Sequence, residues 1–335
     1  MNRRGCGLLP EADLDDLASE LERALPGRVV RALPVAELST YRLGGPIAVA
    51  VRVAREPDLQ AVAAAVARHA PPVLVVGRGS NLLVADSGFA GLGLVLEGDL
   101  ETLAVPEPAG APGDASVVRA GGAVPLPVLA RRTAAAGWTG LEFFVGIPGS
   151  VGGAVRMNAG GHGRETADVL EQARTCDLAT GRGDIRERDL DDLDLGYRHS
   201  AVGGAEVVTA ATFRVTRDDP AECEARVAEI VRWRREHQPG GANAGSVFRN
   251  PEGDSAGRLI DACGLKGFRV GGAYVSPKHA NFFQADTDAT ASDVRALVVE
   301  VARRVAATTG IRLVPELQMV GFDEADLAGG DGGGG

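Results

Sequence analysis

The chain has few aromatics, almost no lysine and no long apolar run. Phe, Tyr and Trp supply only 4% of the 335 residues, so any core must be built mainly from Val, Leu and Ala. Of 35 basic residues only Lys266 and Lys278 are lysines, and in so Arg-rich a chain a single arginine says little by itself. The 45 acidic residues leave a net charge of −10, which excludes a sequence-independent grip on nucleic acid or on an anionic membrane. No run reaches the ~18 apolar residues that a membrane span needs, so no membrane insertion is expected. Cys6, Cys176, Cys223 and Cys263 share no paired spacing, which excludes a zinc site and a disulfide framework. They read as reduced thiols of a cytoplasmic protein. Arg3-Arg4 is followed by Gly5, Cys6, Gly7 and Pro10, so no apolar segment makes it an export signal.

A length of 335 residues implies two or three domains. Leu14, Leu17, Leu21 and Leu25 behind Glu11 and Asp13 predict an amphipathic helix within an N-terminal extension, 1–37. A helix from Pro57 to about His69 leads into Val73-Leu74-Val75-Val76, which reads as a buried strand before a glycine-rich turn. A strand at 116–120, a helix opened by Pro125 and closed by Gly137, and an alternating strand at 206–216 follow. The helix from Pro220 marks the start of a second domain, 219–322, with a helix stopped by Gly264, a long helix stopped by Gly310 and a last strand. The glycine-rich tail, 323–335, is expected to be disordered.

Two glycine-rich loops stand out, Gly77-Arg78-Gly79-Ser80-Asn81 and Gly146-Ile147-Pro148-Gly149-Ser150-Val151-Gly152-Gly153. Glycine lets backbone N–H groups approach a phosphate, although a tight turn needs it equally. The first loop imitates a dinucleotide fingerprint, with Glu97 roughly twenty residues on. The imitation fails because Leu82-Leu83-Val84 continues as a strand, leaving no helix N-terminus for a pyrophosphate. Two such loops, the second followed by Asn158-Ala159-Gly160-Gly161, point to a diphosphate-bearing cofactor.

Seven motifs carry a resemblance. They are Thr40-Tyr41-Arg42-Leu43-Gly44-Gly45; Gly77 to Leu83; Gly146 to Ala154; Tyr197-Arg198 with Ser200; Gly245-Ser246-Val247-Phe248 with Asn250-Pro251; Ser276 with Lys278-His279-Ala280-Asn281-Phe282; and Pro315-Glu316. In this order and approximate spacing the chain resembles the UDP-N-acetylenolpyruvoylglucosamine reductases over about residues 38–321. The resemblance implies an α+β fold. A two-subdomain FAD-binding portion of the vanillyl-alcohol-oxidase-like type, 38–218, would precede an α+β substrate-binding domain. It also implies non-covalent FAD, NADPH as co-substrate and UDP-N-acetylglucosamine enolpyruvate as substrate, in a monomer or weak dimer. Only 49 positions separate Tyr197 from Ser246, which resembles the shorter variant lacking a substrate-covering tyrosine loop.

Carried over residue by residue, the resemblance places Arg198, Ser246 and Glu316 in catalysis. Arg198 would polarise the substrate carboxylate with its planar fork, Glu316 would stand beside that carboxylate, and Ser246 would give a proton to the neighbouring carbon. Cofactor contacts fall on Arg42, Gly77, Gly79, Ser80, Asn81, Leu82, Gly146, Ile147, Gly149, Ser150, Gly153, Asn158 and Gly160. Substrate contacts fall on Tyr197, Asn250 and Lys278. By themselves Ser246 reads as a turn or cap residue, Asn250-Pro251 as a turn, and Lys278-His279 equally as a phosphate contact or a strand cap. His162 and His199 read as solvated loop histidines. Gly161-His162 departs from the Ala-Tyr that the family commonly has there. No metal site is expected. A flavin oxidase of the same superfamily and a nucleotide-sugar sensor are the competing readings. The first loop lacks the histidine through which such oxidases often anchor flavin, and a sensor has no need of a proton donor.

Overall fold

The computed structural model describes residues 10–107 and 110–322. The tail 323–335, Arg3-Arg4 and Cys6 lie outside the described residues. Helices and strands are mixed as expected, and the chain forms two compact units of interleaved segments. The first holds the described residues up to Arg31, then Val49–Arg78 and Gly91–Gln238. The second holds Ala32–Ala48, Gly79–Ala90 and the described residues from Pro239.

The first unit has two hydrophobic clusters. One lies under a sheet ordered Val29–Pro34, Pro46–Val53, Phe89–Leu96, Val73–Val76. The helices Glu11–Ala24 and Asp58–His69 pack on each other beside it. Leu17 and Leu21 are fully buried in this cluster, each contributing about 1.5–3 kcal/mol of burial, so the N-terminal helix is part of the core and not an extension. Val73–Val76 is an edge strand, which is why only Val76 of the expected buried strand is fully covered.

The second cluster is organised by Glu206–Arg217, the central strand of an antiparallel sheet between Leu170–Asp177 and Ala115–Gly121. Val207 enters the first cluster, whereas Val208, Ala211, Phe213 and Val215 enter the second. Burial on both faces therefore replaces simple alternation. The helix Pro220–His237 seats Cys223 and Val227 in the same cluster and packs on the helix Leu126–Ala135. It closes the first unit, and the break follows Gln238 instead of 218 because these apolar side chains face the first unit's core.

The second unit has one cluster, including Val247, Phe248, Leu259, Ile260, Val275, Phe283, Leu297, Val301 and Leu317. Its long helix, Ala291–Thr309, begins with a Thr290/Asp293 capping box and ends at Gly310 with φ +74°. Asp86 accepts the N–H groups of Ala291 and Ser292 at 2.8 and 2.9 Å. Leu82–Val84 pairs in parallel with Gln318–Val320, which explains why 79–90 joins a unit built mostly of C-terminal residues. Among the described residues no helix is long and apolar enough to cross a membrane. No cluster of three His, Cys, Asp or Glu among them is arranged for a metal.

Candidate active site

In the first unit the two glycine loops touch. A Cβ on Gly77 would lie 2.3 Å from Ser150 Oγ, so glycine there is required for the loops to meet. Ser150 is buried and caps the helix Val151–Met157, its hydroxyl accepting the Gly153 N–H at 3.4 Å. The second motif is thus partly helical, where sequence reading gives only a loop. Gly152 is there for close approach: its N–H donates to Gly122 O at 2.8 Å, and a Cβ would stand 3.2 Å from both Gly122 O and Val208 O. The Gly149 carbonyl accepts Leu126 N–H at 2.9 Å. Ile147 is half-buried against the second cluster.

Tyr197 and Arg198 join this region. Asn158, fully buried with φ +41°, donates from Nδ2 to Gly196 O at 2.9 Å and accepts Ala167 N–H at 2.9 Å. Its carboxamide fastens the loop that carries Tyr197-Arg198. In return the Arg198 guanidinium donates to Gly160 O at 3.1 Å and Asn158 O at 3.5 Å. It lies 5.0 Å from the centroid of the Tyr197 ring, itself 49% exposed. Arg198 adopts φ +55°, a strained backbone that these contacts hold in place. Ser200, buried, donates to Arg156 O at 2.7 Å and anchors the far side of the loop.

In the second unit Gly79, φ +56°, packs against the Ser39 turn. A Cβ there would meet Leu38 O at 2.4 Å, and Thr40 N–H donates to Gly79 O at 3.2 Å. Arg42, exposed with φ +57°, closes that turn, its N–H donating to Ser39 O at 3.2 Å, and Ser80 and Asn81, which follow Gly79, are half-buried. Asn81 Nδ2 donates to Glu316 O at 3.0 Å, and Gln318 N–H donates to Asn81 O at 3.1 Å. Buried Leu82 begins the strand paired with Gln318. Glu316 N–H donates to Val247 O at 2.8 Å. Ser246, half-buried after Gly245 with φ +74°, forms a bridge with Phe282. Asn250 is exposed, and its Oδ1 accepts Ala256 N–H at 3.1 Å, closing a turn into a helix. Lys278 is exposed on a turn whose N–H donates to Ser276 Oγ at 3.2 Å.

The histidines depart from expectation in part. His199 is exposed, 3.8 Å from Asp194. His162 is exposed, as expected of a loop histidine, but its ring meets Trp233 edge-on at 4.9 Å and lies over Gly146, where a Cβ would stand 3.1 Å from the ring. Burial, and then the nearby Arg234 charge, holds its pKa below the usual 6.5. Burial, followed by Lys266, also lowers His279, whose Nδ1 accepts the Asn281 N–H at 3.2 Å as a neutral ring must. Both rings bind protons more readily when unfolded. Stability from this source is complete above pH 6.5 and is lost as pH falls through the lower folded values. Urea denaturation is expected to show that loss already above the carboxylate range. His162→Phe, keeping the ring contact without titrating, is expected to remove its share of the loss and leave that of His279.

Sequence reading passes over Gly122, Trp233 and Asn281. Gly122 and Trp233 carry no motif, and their roles come from close approach and an edge-on ring contact with residues remote in sequence. Asn281 lies inside a motif but shows its partners only in the fold.

The residues fit FAD on their donor chemistry. In the first unit the glycines at 77, 146, 149, 160 and 161 allow the close backbone approach that a diphosphate requires. Gly161 has nothing nearer than Ile147 Cγ1 at 3.9 Å from its Cβ position, and so leaves an open glycine face. The first loop offers serine and asparagine, with no histidine or cysteine for a covalent link.

Comparison with known proteins agrees. Residues 47–187 match the FAD binding domain model, and residues 237–320 match the C-terminal domain model of UDP-N-acetylenolpyruvoylglucosamine reductase. The reductase of Azorhizobium caulinodans is 40% identical over 92% of this chain and 97% of its own. That of Rhodopseudomonas palustris is 41% identical over 94% and 99%. The crystal structure of the Thermus caldophilus reductase superposes with a TM-score of 0.73 at 36% identity, covering 87% of this chain and 98% of that one. The chain belongs to the UDP-N-acetylenolpyruvoylglucosamine reductase family and is an FAD-binding oxidoreductase.

Proposed function

We propose that this enzyme uses NADPH to reduce UDP-N-acetylglucosamine enolpyruvate to UDP-N-acetylmuramate in the cytoplasm, as a step in peptidoglycan precursor synthesis. The observation that supports the reading is that the segments bearing Ser246 and Glu316, far apart in sequence, are adjacent and joined by the Glu316 N–H to Val247 O bond of 2.8 Å. A hydroxyl and a carboxyl group carried on adjacent segments suit reduction of a carbon–carbon double bond next to a carboxylate. Residues 38–238 are read as the flavin-binding part and 239–322 as the substrate-binding part, with a monomer or weak dimer as the working form.

FAD, when bound, carries the hydride from NADPH to the methylene carbon of the enolpyruvyl ether. The glycine-loop residues Gly77, Gly79, Ser80, Asn81, Leu82, Gly146, Ile147, Gly149, Ser150 and Gly153, with Arg42, Asn158 and Gly160, would hold it. As hydride arrives, negative charge develops on the substrate carboxylate, and the neighbouring carbon needs a proton. Arg198, its guanidinium plane fixed by the Gly160 and Asn158 carbonyls, pairs with that carboxylate. A fixed cation costs little reorganisation as the charge develops. Glu316 stands beside the same carboxylate. Ser246 Oγ gives its proton to the carbon bearing the ether oxygen. One hydride and one proton convert the double bond to a lactyl ether, and NADPH leaves as NADP⁺. Tyr197, Asn250 and Lys278 contact the nucleotide sugar.

Turnover of the flavin-loaded enzyme in D₂O tests the reading. The lactyl product is expected to carry solvent deuterium on the carbon bonded to the ether oxygen. Unchanged substrate, or deuterium on the methyl carbon alone, would overturn it.

A further inference from the structure

Ser246 sits on a segment that no regular sheet supports. Its pairings are single bridges, Ser246 with Phe282 on one side and Phe248 with Pro315 on the other. On the Phe282 side, an antiparallel ladder continued by one step would place the backbone of Ala280 opposite Phe248. It cannot, because the chain turns there, Phe282 N–H donating to His279 O at 2.9 Å. The Asn281 side chain takes over. Its Oδ1 accepts Phe248 N–H at 3.0 Å, and its Nδ2 donates to Phe248 O at 2.8 Å. Its backbone carbonyl accepts Val247 N–H at 2.9 Å. Asn281 is 3% exposed and Phe248 1%, so water cannot replace these bonds.

We propose that Asn281 is a positioning residue for proton delivery, its carboxamide acting as a substitute strand that fixes the Ser246–Phe248 segment. The same segment receives Glu316 N–H at Val247 O, so one carboxamide sets the backbone bearing the serine and the backbone against which the glutamate lies. The inference rests on the role given to Ser246 above.

Asn281→Asp keeps the shape and the acceptor for Phe248 N–H but turns a donor into an acceptor facing Phe248 O. Asn281→Ser shortens the side chain. Both are compared with Ser246→Ala as flavin-loaded enzymes under anaerobic stopped flow, reading flavin reduction by NADPH and reoxidation by the enolpyruvyl substrate separately. Both Asn281 variants are expected to reduce within about twofold of the parent and to reoxidise at least about tenfold more slowly, with a larger solvent deuterium isotope effect on reoxidation, because a misplaced donor makes proton delivery limiting. A structural role alone would lower both half-reactions together or neither, and either result overturns the proposal. So does loss of fold or flavin in both variants, which would make Asn281 a support of the whole unit. Ser246→Ala separates the two claims. If it reoxidises at the parent rate, the assignment of Ser246 fails. If it is slow while the Asn281 variants are not, only the positioning role fails.

Discussion

Ser246→Ala is expected to leave flavin reduction by NADPH at the parent rate while slowing reoxidation by the enolpyruvyl substrate about 10²–10⁴-fold, the range for removal of a general acid. The substitution is mild for the fold because the segment is held by backbone groups. Gly245 supplies the positive φ, Val247 N–H reaches Asn281 O, and Val247 O receives Glu316 N–H. Alanine retains all of these bonds and removes only the half-buried hydroxyl. A serine hydroxyl is a weak acid, so its effectiveness depends on placement against the carbon that becomes basic only as hydride arrives. Anaerobic stopped flow separates the two half-reactions. Reoxidation at the parent rate would transfer the proton donor's role to another group.

Gly122→Ala is expected to destabilise the protein by about 3 kcal/mol and to weaken flavin retention. A Cβ at Gly122 would lie 2.0 Å from Val208 O, and that strand cannot retreat, since Val208 sits opposite Thr175 on one side while Ala210 and Ala211 pair with Gly121 and Ala120 on the other. The displaced group would be Gly122 itself, whose N–H donates to Thr209 O at 2.7 Å and whose carbonyl receives Gly152 N–H at 2.8 Å. The disturbance therefore passes into the loop that carries Gly149, Ser150 and Gly153. Gly204→Ala, where nothing lies within 4 Å of the Cβ position, serves as a near-neutral control. Urea denaturation with flavin fluorescence on dilution checks both parts, and equal stability of the two variants would refute the steric argument.

The order of helices and strands was legible because it is local. Apolar spacing gave the helices at Glu11–Ala24 and Ala291–Thr309, and glycines at 264 and 310 gave the stops of Ala256–Ala262 and Ala291–Thr309. The unit boundary was misplaced because Cys223 and Val227 look the same whichever core they enter. The second glycine motif read as a loop because glycine is a poor helix former. Only the fold shows that Gly152 must approach Gly122.

The motif residues were legible through their order along the chain, but their physical partners were not. Asn158 and Asn81 look like ligand contacts in sequence, yet their carboxamides bond to Gly196 O and Glu316 O. Each steadies a segment bearing a residue assigned to catalysis, Arg198 in one unit and Glu316 in the other. His162 is exposed as its neighbours suggest, and only the fold shows its edge-on contact with Trp233, remote in sequence. Contacts between distant segments leave no spacing signal, so the supports of the site appear only once the chain is folded.

The most direct test is an anaerobic absorbance titration of the FAD-loaded enzyme. NADPH is expected to bleach the visible flavin band, and UDP-N-acetylglucosamine enolpyruvate is then expected to restore it stoichiometrically without oxygen. A band that stays bleached until air is admitted would contradict the account and identify an oxidase.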